Sequence, residues 1–274
     1  MKMGISAWSV QKLLFSKKID LREFLNFAKN NVVDNVELLD CFWTEDETAE
    51  KIKKYADEIK LSVCCYSISN NFVKEKPEER LKQIEYVKQS IDMATMLETG
   101  NLRIFSGNPQ EGITYEQGKA WIIESMKECA AYAGEKGVTL VLENHGLFAG
   151  KSSQVKEIIE TVDSKFLKAN VDTGNFLLVG ENPLDAVKGL TNYIGFVHFK
   201  DFKKSNADKD VYVSLNGIKY QGTILGEGEV PLKEIVDYLD KNDYKGYLSI
   251  EYEGIEDPFE GTSKSIEYLK SLIR

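Results

Sequence analysis

The chain has 274 residues, of which 42% are hydrophobic, and a formal net charge of -9. It is long enough to bury a sizeable core, and its acidic charge argues against a nucleic-acid partner, because a phosphate backbone normally requires a basic surface. No run approaches the roughly 20 apolar residues of a membrane span, and the N-terminus lacks a signal-peptide pattern, so we expect a cytoplasmic protein without membrane contact.

The first half of the chain alternates short apolar runs with helical patterns. Strands are predicted over residues 3–7, 35–38, 61–68 and 102–105. Helices are predicted after an Asp20 cap, over 46–59, over 77–97 with Pro77 in the first turn, and over 115–136, where Gly137 gives the expected C-terminal glycine. This alternation indicates parallel strands joined by helices.

The second half continues the alternation, but its strands end in polar residues. The run VTLVLENH at 138–145 fits a strand buried on both faces, and it stops at Glu143, Asn144 and His145. Three later runs also stop at candidate metal ligands, which are Asp172, His198 and Glu251. Helices are predicted from a Ser152 cap to about 162, from about 183, over 231–239 and over 263–273.

Residues 201–228 do not follow this pattern. Asn216-Gly217 lies between the runs 211–215 and 218–221, and an Asn-Gly pair in that position is the strongest short signal of a β-hairpin. We therefore predict a hairpin insertion after the seventh strand.

Eight strand signals alternating with helices, without a Pro/Gly/Ser-rich linker, predict a single (β/α)8 barrel, or TIM barrel, domain over residues 1–274. The main alternative is an open doubly wound sheet. No GxGxxG or Walker loop follows any predicted strand, which favours the barrel.

In such a barrel the carboxyl ends of all strands meet on one face, so Glu143, Asp172, His198 and Glu251 are expected to converge. Three carboxylates and an imidazole suit one divalent metal ion, with Mn²⁺, Mg²⁺ or Co²⁺ favoured and Zn²⁺ also compatible. The alternative is that each group is a satisfied polar residue at a strand end. The only two histidines of the chain both lie at strand ends, which favours the joint site.

Seven segments together resemble the sugar phosphate isomerase/epimerase family, the xylose-isomerase-like TIM barrels. They are VELLD, LRIFSG, VLENHG, NVDTGNF, VHFKDF, LGEGEVPL and LSIEYEG, and they span nearly the whole chain. By this resemblance Glu143, Asp172, His198 and Glu251 match the family's metal ligands. Glu143 and Glu251 also match the carboxylate pair that moves protons in the epimerase branch.

Two positions depart from the 3-epimerase branch, which has a histidine three residues after the aspartate and an arginine six residues after the metal histidine. This chain has Asn175 and Lys204 there. The endonuclease branch binds three zinc ions with several more histidines than this chain contains.

Four residues are candidates for substrate contacts: His145, Asn175, Lys200 and Trp8. The alternative roles are a rim hydrogen bond for His145, a solvated ion pair with Asp201 for Lys200, and rim packing for Trp8.

The leading hypothesis is a divalent-metal-dependent isomerase or epimerase of a small sugar, sugar phosphate or related hydroxy-ketone. Glu143 and Glu251 would move a proton through a metal-bound enediolate. The alternatives are a metal-dependent lyase, or dehydratase, of a keto-sugar or keto-cyclitol, like the inosose dehydratases of the family, and a non-catalytic sugar-binding protein. The sequence leaves open the substrate, its phosphorylation and whether the chain forms a homo-oligomer.

Overall fold

Eight parallel strands form the centre of the protein, whose computed structural model describes residues 1–273. The barrel strands are β1 (Lys2–Ser6), β2 (Asn35–Leu39), β3 (Ser62–Ser67), β4 (Asn101–Ile104), β5 (Thr139–Glu143), β6 (Leu167–Asp172), β7 (Ile194–Phe199) and β11 (Tyr247–Ile250). They close in the order β1-β11-β7-β6-β5-β4-β3-β2, which confirms the predicted TIM barrel.

Helices surround this barrel. They are α1 (Gln11–Phe15), α2 (Leu21–Asn30), α3 (Ala49–Glu58), α4 (Pro77–Met96), α5 (Tyr115–Lys136), α6 (Ser152–Val162), α7 (Asn175–Leu178), α8 (Pro183–Leu190), α9 (Leu232–Lys241) and α10 (Pro258–Leu272). Among residues 1–273, none of them has the length and apolarity that crossing a membrane requires.

Strand β5 shows why its sequence is almost continuously apolar. Leu140 and Leu142 belong to the core shared with the helices, whereas Val141 packs with Cys65 and Phe196 in a separate cluster. Successive side chains of a strand point to opposite faces, so one face of β5 packs under the helices and the other fills the barrel interior.

The helix ends follow the capping signals, with two corrections. Asp20 forms a full capping box with Glu23, and Gly137 adopts the left-handed conformation (φ 72°) that ends α5. Ser152 was predicted as a cap, but it is the first helical residue of α6, and Lys151 precedes it. Helix α10 begins at Pro258, earlier than predicted, because the Asp257 side chain accepts from two backbone N–H groups of its first turn.

The insertion after β7 is a small antiparallel sheet of β8 (Phe202–Lys204), β9 (Tyr212–Val213) and β10 (Lys219–Gly222), in the order β8-β10-β9. Gly217 lies in the turn between β9 and β10 with φ +79°, so the predicted hairpin is present. The backbone N–H of Leu215 donates to the carbonyl of Leu178 at 2.8 Å, which ties the hairpin to the end of α7.

Asp201 anchors the loop that follows this insertion. Its buried carboxylate accepts the backbone N–H groups of Phe202, Gly226, Gly228 and Val230 at 2.9 to 3.1 Å. A Cβ on Gly228 would lie 2.1 Å from Asp201 Oδ1, so the loop closes on the carboxylate only with glycine there. Burial raises the pKa of Asp201 to about 6, against the opposing effect of these N–H groups.

We expect Asp201→Asn to destabilise the protein by about 1–3 kcal/mol at pH 8, where Asp201 is ionised, because an amide NH₂ would then face backbone donors. Thermal unfolding followed by circular dichroism should show a melting temperature lower by several degrees. Asp208→Asn is the matched control, since the Asp208 side chain is 94% exposed. Equal melting temperatures for the two variants would contradict the anchoring role.

Candidate metal centre

Three of the predicted ligands meet at the carboxyl end of the barrel. Glu143 ends β5, Asp172 ends β6, and His198 lies in β7 as the register partner of Asp172. One potential ligand atom from each lies within 4.8 Å of those of the other two, and all three residues are buried. Parallel pairing of β5, β6 and β7 therefore brings together side chains separated by more than 20 residues in sequence.

Glu37 of β2 holds the ring of His198. The His198 Nε2 atom lies 2.9 Å from Glu37 Oε1, and the hydroxyls of Ser67 and Ser249 also donate to this carboxylate at 2.5 and 2.7 Å. Metal-ligating histidines commonly donate their second ring N–H to a carboxylate. Nδ1 of His198 is the nitrogen that faces the centre, where it lies 3.4 Å from Glu143 Oε2 and 3.1 Å from the side-chain amide Nδ2 of Asn170.

Arg103 of β4 neutralises Glu143. Its Nε lies 3.2 Å from Glu143 Oε2, and its Nη1 donates to the carbonyl of Ile68 at 2.8 Å. Burial raises the pKa of Glu143, but Arg103 and His198 outweigh that effect and hold it well below the usual range of a glutamate.

Lys200 lies on the opposite side of the centre and contacts Glu251, which directly follows β11. Its Nζ is 2.5 Å from Glu251 Oε2, 3.0 Å from Asp172 Oδ2 and 3.5 Å from Glu253 Oε2. The alternative role of Lys200, a solvated ion pair with Asp201, is wrong, because Asp201 binds backbone N–H groups and Lys200 is buried. Burial lowers the pKa of Lys200, but the carboxylates raise it well above its ordinary value, so Lys200 is charged.

Glu251 stands outside the group of three but close to it, since its Oε1 lies 3.8 Å from His198 Nδ1. Burial raises the pKa of Glu251 to about 7, against the opposing effects of Lys200 and His198. The environments of Glu143 and Glu251 therefore displace their pKa values in opposite directions.

The donor atoms at this centre fit a divalent cation. Glu143 Oε2 and Asp172 Oδ2 are buried and accept no hydrogen bond apart from their ion pairs with Arg103 and Lys200. Together with His198 Nδ1 they offer two carboxylate oxygens and an imidazole nitrogen, and Glu251 can add a third oxygen. This set matches the ligand preferences of Mn²⁺, Mg²⁺, Co²⁺ and Zn²⁺.

The four candidate substrate residues lie at different distances from this centre. Lys200 touches it directly, and Asn175 is adjacent, because its Nδ2 donates to Glu143 Oε1 at 3.2 Å. His145 is exposed and packs on the ring of Phe105 with 4.8 Å between ring centroids. Trp8 is half-buried and donates its indole N–H to Glu253 at 2.5 Å.

Two cavities flank the hairpin at the mouth of the site. One of about 210 Å³ is lined by His145, Asn175, Leu178, Val213 and Leu215, among others. The other, of about 340 Å³, is lined by residues that include Lys12, Asp210, Tyr212 and Glu253. Tyr212 and Val213 are consecutive in β9, so their side chains point to opposite sides of this strand and face different cavities.

The sequence patterns assigned no role to Glu37, Arg103 or Glu253. The sequence could have indicated Arg103 and Glu37 as site residues, because each is a charged residue inside a short apolar strand. Such a residue in a barrel strand must find a partner inside the barrel or at its end.

Glu37→Gln tests the orienting role of this carboxylate. An amide NH₂ would replace one of the oxygens that accept from Ser67, Ser249 and His198, so His198 should be held less firmly. We expect affinity for Mn²⁺ and Zn²⁺ to fall by about 10–100-fold, measured by competition with a chelating dye. Glu135→Gln on the exposed side of α5 is the control, and a folded Glu37→Gln protein with the wild-type affinity would contradict the assignment.

Comparison with known proteins gives the family. The chain is 29% identical over 157 residues to an inosose dehydratase from Clostridium perfringens, a match that covers 54% of this chain and 53% of the relative. The chain thus spans about half the length of the curated relatives that it matches.

Two solved structures share the fold over nearly their whole length. The IolI protein with a bound zinc atom has a TM-score of 0.81 at 15% identity, covering 99% of this chain and 98% of that chain. The 3-keto-D-glucoside 4-epimerase of E. coli has a TM-score of 0.78 at 15% identity, covering 99% of each chain. The family model for the xylose isomerase-like TIM barrel matches residues 28–272, and the chain belongs to that family.

Proposed function

We propose that the chain is a divalent-metal-dependent isomerase or epimerase of a small keto-sugar or related hydroxy-ketone. The observation that carries the proposal is that Glu143 and Glu251 approach the same ring nitrogen of His198, at 3.4 and 3.8 Å. They come from strands that β6 and β7 separate in the barrel, so a substrate bound at this centre has a carboxylate on either side.

Glu143, Asp172, His198 and Glu251 are the residues that would hold the metal. When bound, a divalent ion would polarise the substrate carbonyl and acidify the neighbouring C–H. In the proposed reaction one of the two glutamates removes the proton next to the carbonyl, and the other returns a proton to the opposite face of the same carbon. Arg103 keeps Glu143 ionised, and Asn175 holds its Oε1 at 3.2 Å, which fixes the direction of this carboxylate.

The charges around the centre favour a substrate without a phosphate. Arg103 pairs with Glu143, Lys200 pairs with Asp172 and Glu251, and Lys12 of the larger cavity donates to the carbonyl of Gly254. The carboxylates of Asp210 and Glu253 line the same cavity. A substrate phosphate would add negative charge beside carboxylates that are already paired with the nearby cations. This addition is electrostatically unfavourable.

A second candidate is a dehydratase of a keto-cyclitol or keto-sugar, and the sequence match to inosose dehydratases supports it. Both reactions begin with removal of a proton next to a carbonyl. In the dehydratase the next step expels a β-hydroxyl, and in the epimerase the carbon takes up a proton again.

Glu143→Gln and Glu251→Gln test the carboxylate pair. Each amide keeps an oxygen that can ligate a metal but cannot take up the substrate proton. Turnover should therefore fall by about 10²–10⁴-fold while metal content stays near that of the wild type. Metal content is measured by elemental analysis. A metal-loaded double variant with nearly normal turnover would show that other groups move the proton.

A panel of ketoses, ketose phosphates and inososes, incubated with metal-loaded protein in deuterated water, identifies the reaction. An epimerase gives a product of the same composition with deuterium on carbon, and a dehydratase gives an absorbing enone or diketone. We expect turnover of unphosphorylated members only. Preference for a phosphate ester would contradict the charge argument but leave the proton-transfer chemistry intact.

A further inference from the structure

Lys200 and a divalent cation need the same carboxylate oxygens. Asp172 Oδ1 already accepts the backbone N–H groups of Gly174 and Asn175 at 2.9 and 3.0 Å. Asp172 Oδ2 is therefore the oxygen left to bind a cation, and it lies 3.0 Å from Lys200 Nζ. The same ammonium lies 2.5 Å from Glu251, the fourth expected ligand.

We propose that Lys200 is an internal competitor of the metal and so determines how tightly this centre binds a divalent ion. The inference rests on the metal centre of the proposed function. The Lys200 ammonium neutralises Asp172 and Glu251, and a divalent ion binds there when the ammonium moves away. Two cations cannot share one carboxylate oxygen at ligand distance without strong repulsion.

The Glu253 carboxylate receives the Lys200 ammonium when a divalent ion displaces it. Its Oε1 accepts the indole N–H of Trp8, and its Oε2 lies 3.5 Å from Lys200 Nζ. The second oxygen is therefore directed towards Lys200, and the first is held in place by Trp8. A shift of the ammonium from Asp172 to Glu253 keeps the charge of Lys200 paired throughout.

The backbone of Lys200 is fixed, so the movement is confined to its side chain. Thr173 Oγ1 donates to the carbonyl of Lys200 at 2.7 Å and accepts from its N–H at 3.0 Å. The Lys200 stem passes so close to Gly174 that a Cβ there would lie 3.0 Å from Lys200 Cγ. The terminal carbons and the ammonium of a lysine remain rotatable under such a restraint.

The experiment measures the dissociation constant for Mn²⁺ alone and the melting temperature of the chelator-treated protein. Lys200→Met should bind Mn²⁺ at least about tenfold more tightly, because the competing charge is gone. The chelator-treated Lys200→Met protein should melt about 5 °C or more below the wild type, because Asp172 and Glu251 lose their buried partner. Lys200→Arg keeps the charge and should not gain affinity.

Two further variants leave Lys200 unchanged: one tests the inference a second time, and the other is a control. Glu253→Gln removes the receiving charge and should weaken Mn²⁺ binding, although Glu253 is not an expected ligand. Lys204→Met removes a positive charge from the same segment, at an exposed pair with Glu229, and should leave the affinity unchanged.

Unchanged or weaker Mn²⁺ binding by Lys200→Met would overturn the inference while leaving the metal centre in place. If that variant does not fold, wild-type affinity in Glu253→Gln overturns it instead. Failure of the wild type and every variant to bind Mn²⁺ or Zn²⁺ at millimolar concentration would overturn the metal centre and this inference together.

Discussion

Buried charge at the carboxyl end of the barrel is the constraint on which the rest of the structure depends. Glu37, Glu143, Asp172 and Glu251 are all buried there, together with Arg103, His198 and Lys200. Removing the partner of a buried ion costs about 3–5 kcal/mol, so each carboxylate must be matched to a cation or to strong hydrogen-bond donors. Each buried carboxylate of this group has at least one such partner.

The barrel meets this constraint through its register. Asp172 pairs with His198, and Glu143 pairs with Asn170, two residues before Asp172, so the side chains of three neighbouring strands lie close together at the carboxyl end of the barrel. Closure of β1 on β2 and β11 then brings Glu37 to the far side of His198. No local segment of the chain holds more than part of this network, so the site exists only when the barrel is closed.

The strands and the converging ligands could be predicted because each depends on a local pattern. An apolar run that stops at a polar residue marks both a buried strand and its carboxyl end, as for β5 and β6. The partners of Lys200 could not be predicted, because Asp201 is adjacent in sequence whereas Glu251 approaches only across the barrel. The short helices α1 and α7, with five and four residues, contain too few turns for a periodic signal.

The structure restrains the two cationic side chains at the centre, Arg103 and Lys200, to different degrees. They therefore have different effects on the centre. Arg103 is fixed by a hydrogen bond to the Ile68 carbonyl and packs on the ring of Phe105, with 4.1 Å from its guanidinium carbon to the ring centroid. A planar guanidinium so restrained gives Glu143 a constant partner. The backbone of Lys200 is held by Thr173 and its stem lies against Gly174, whereas its ammonium pairs with the carboxylates of three different residues. Glu143 therefore keeps a constant cationic partner, Arg103. Asp172 and Glu251 can exchange the Lys200 ammonium for a metal ion.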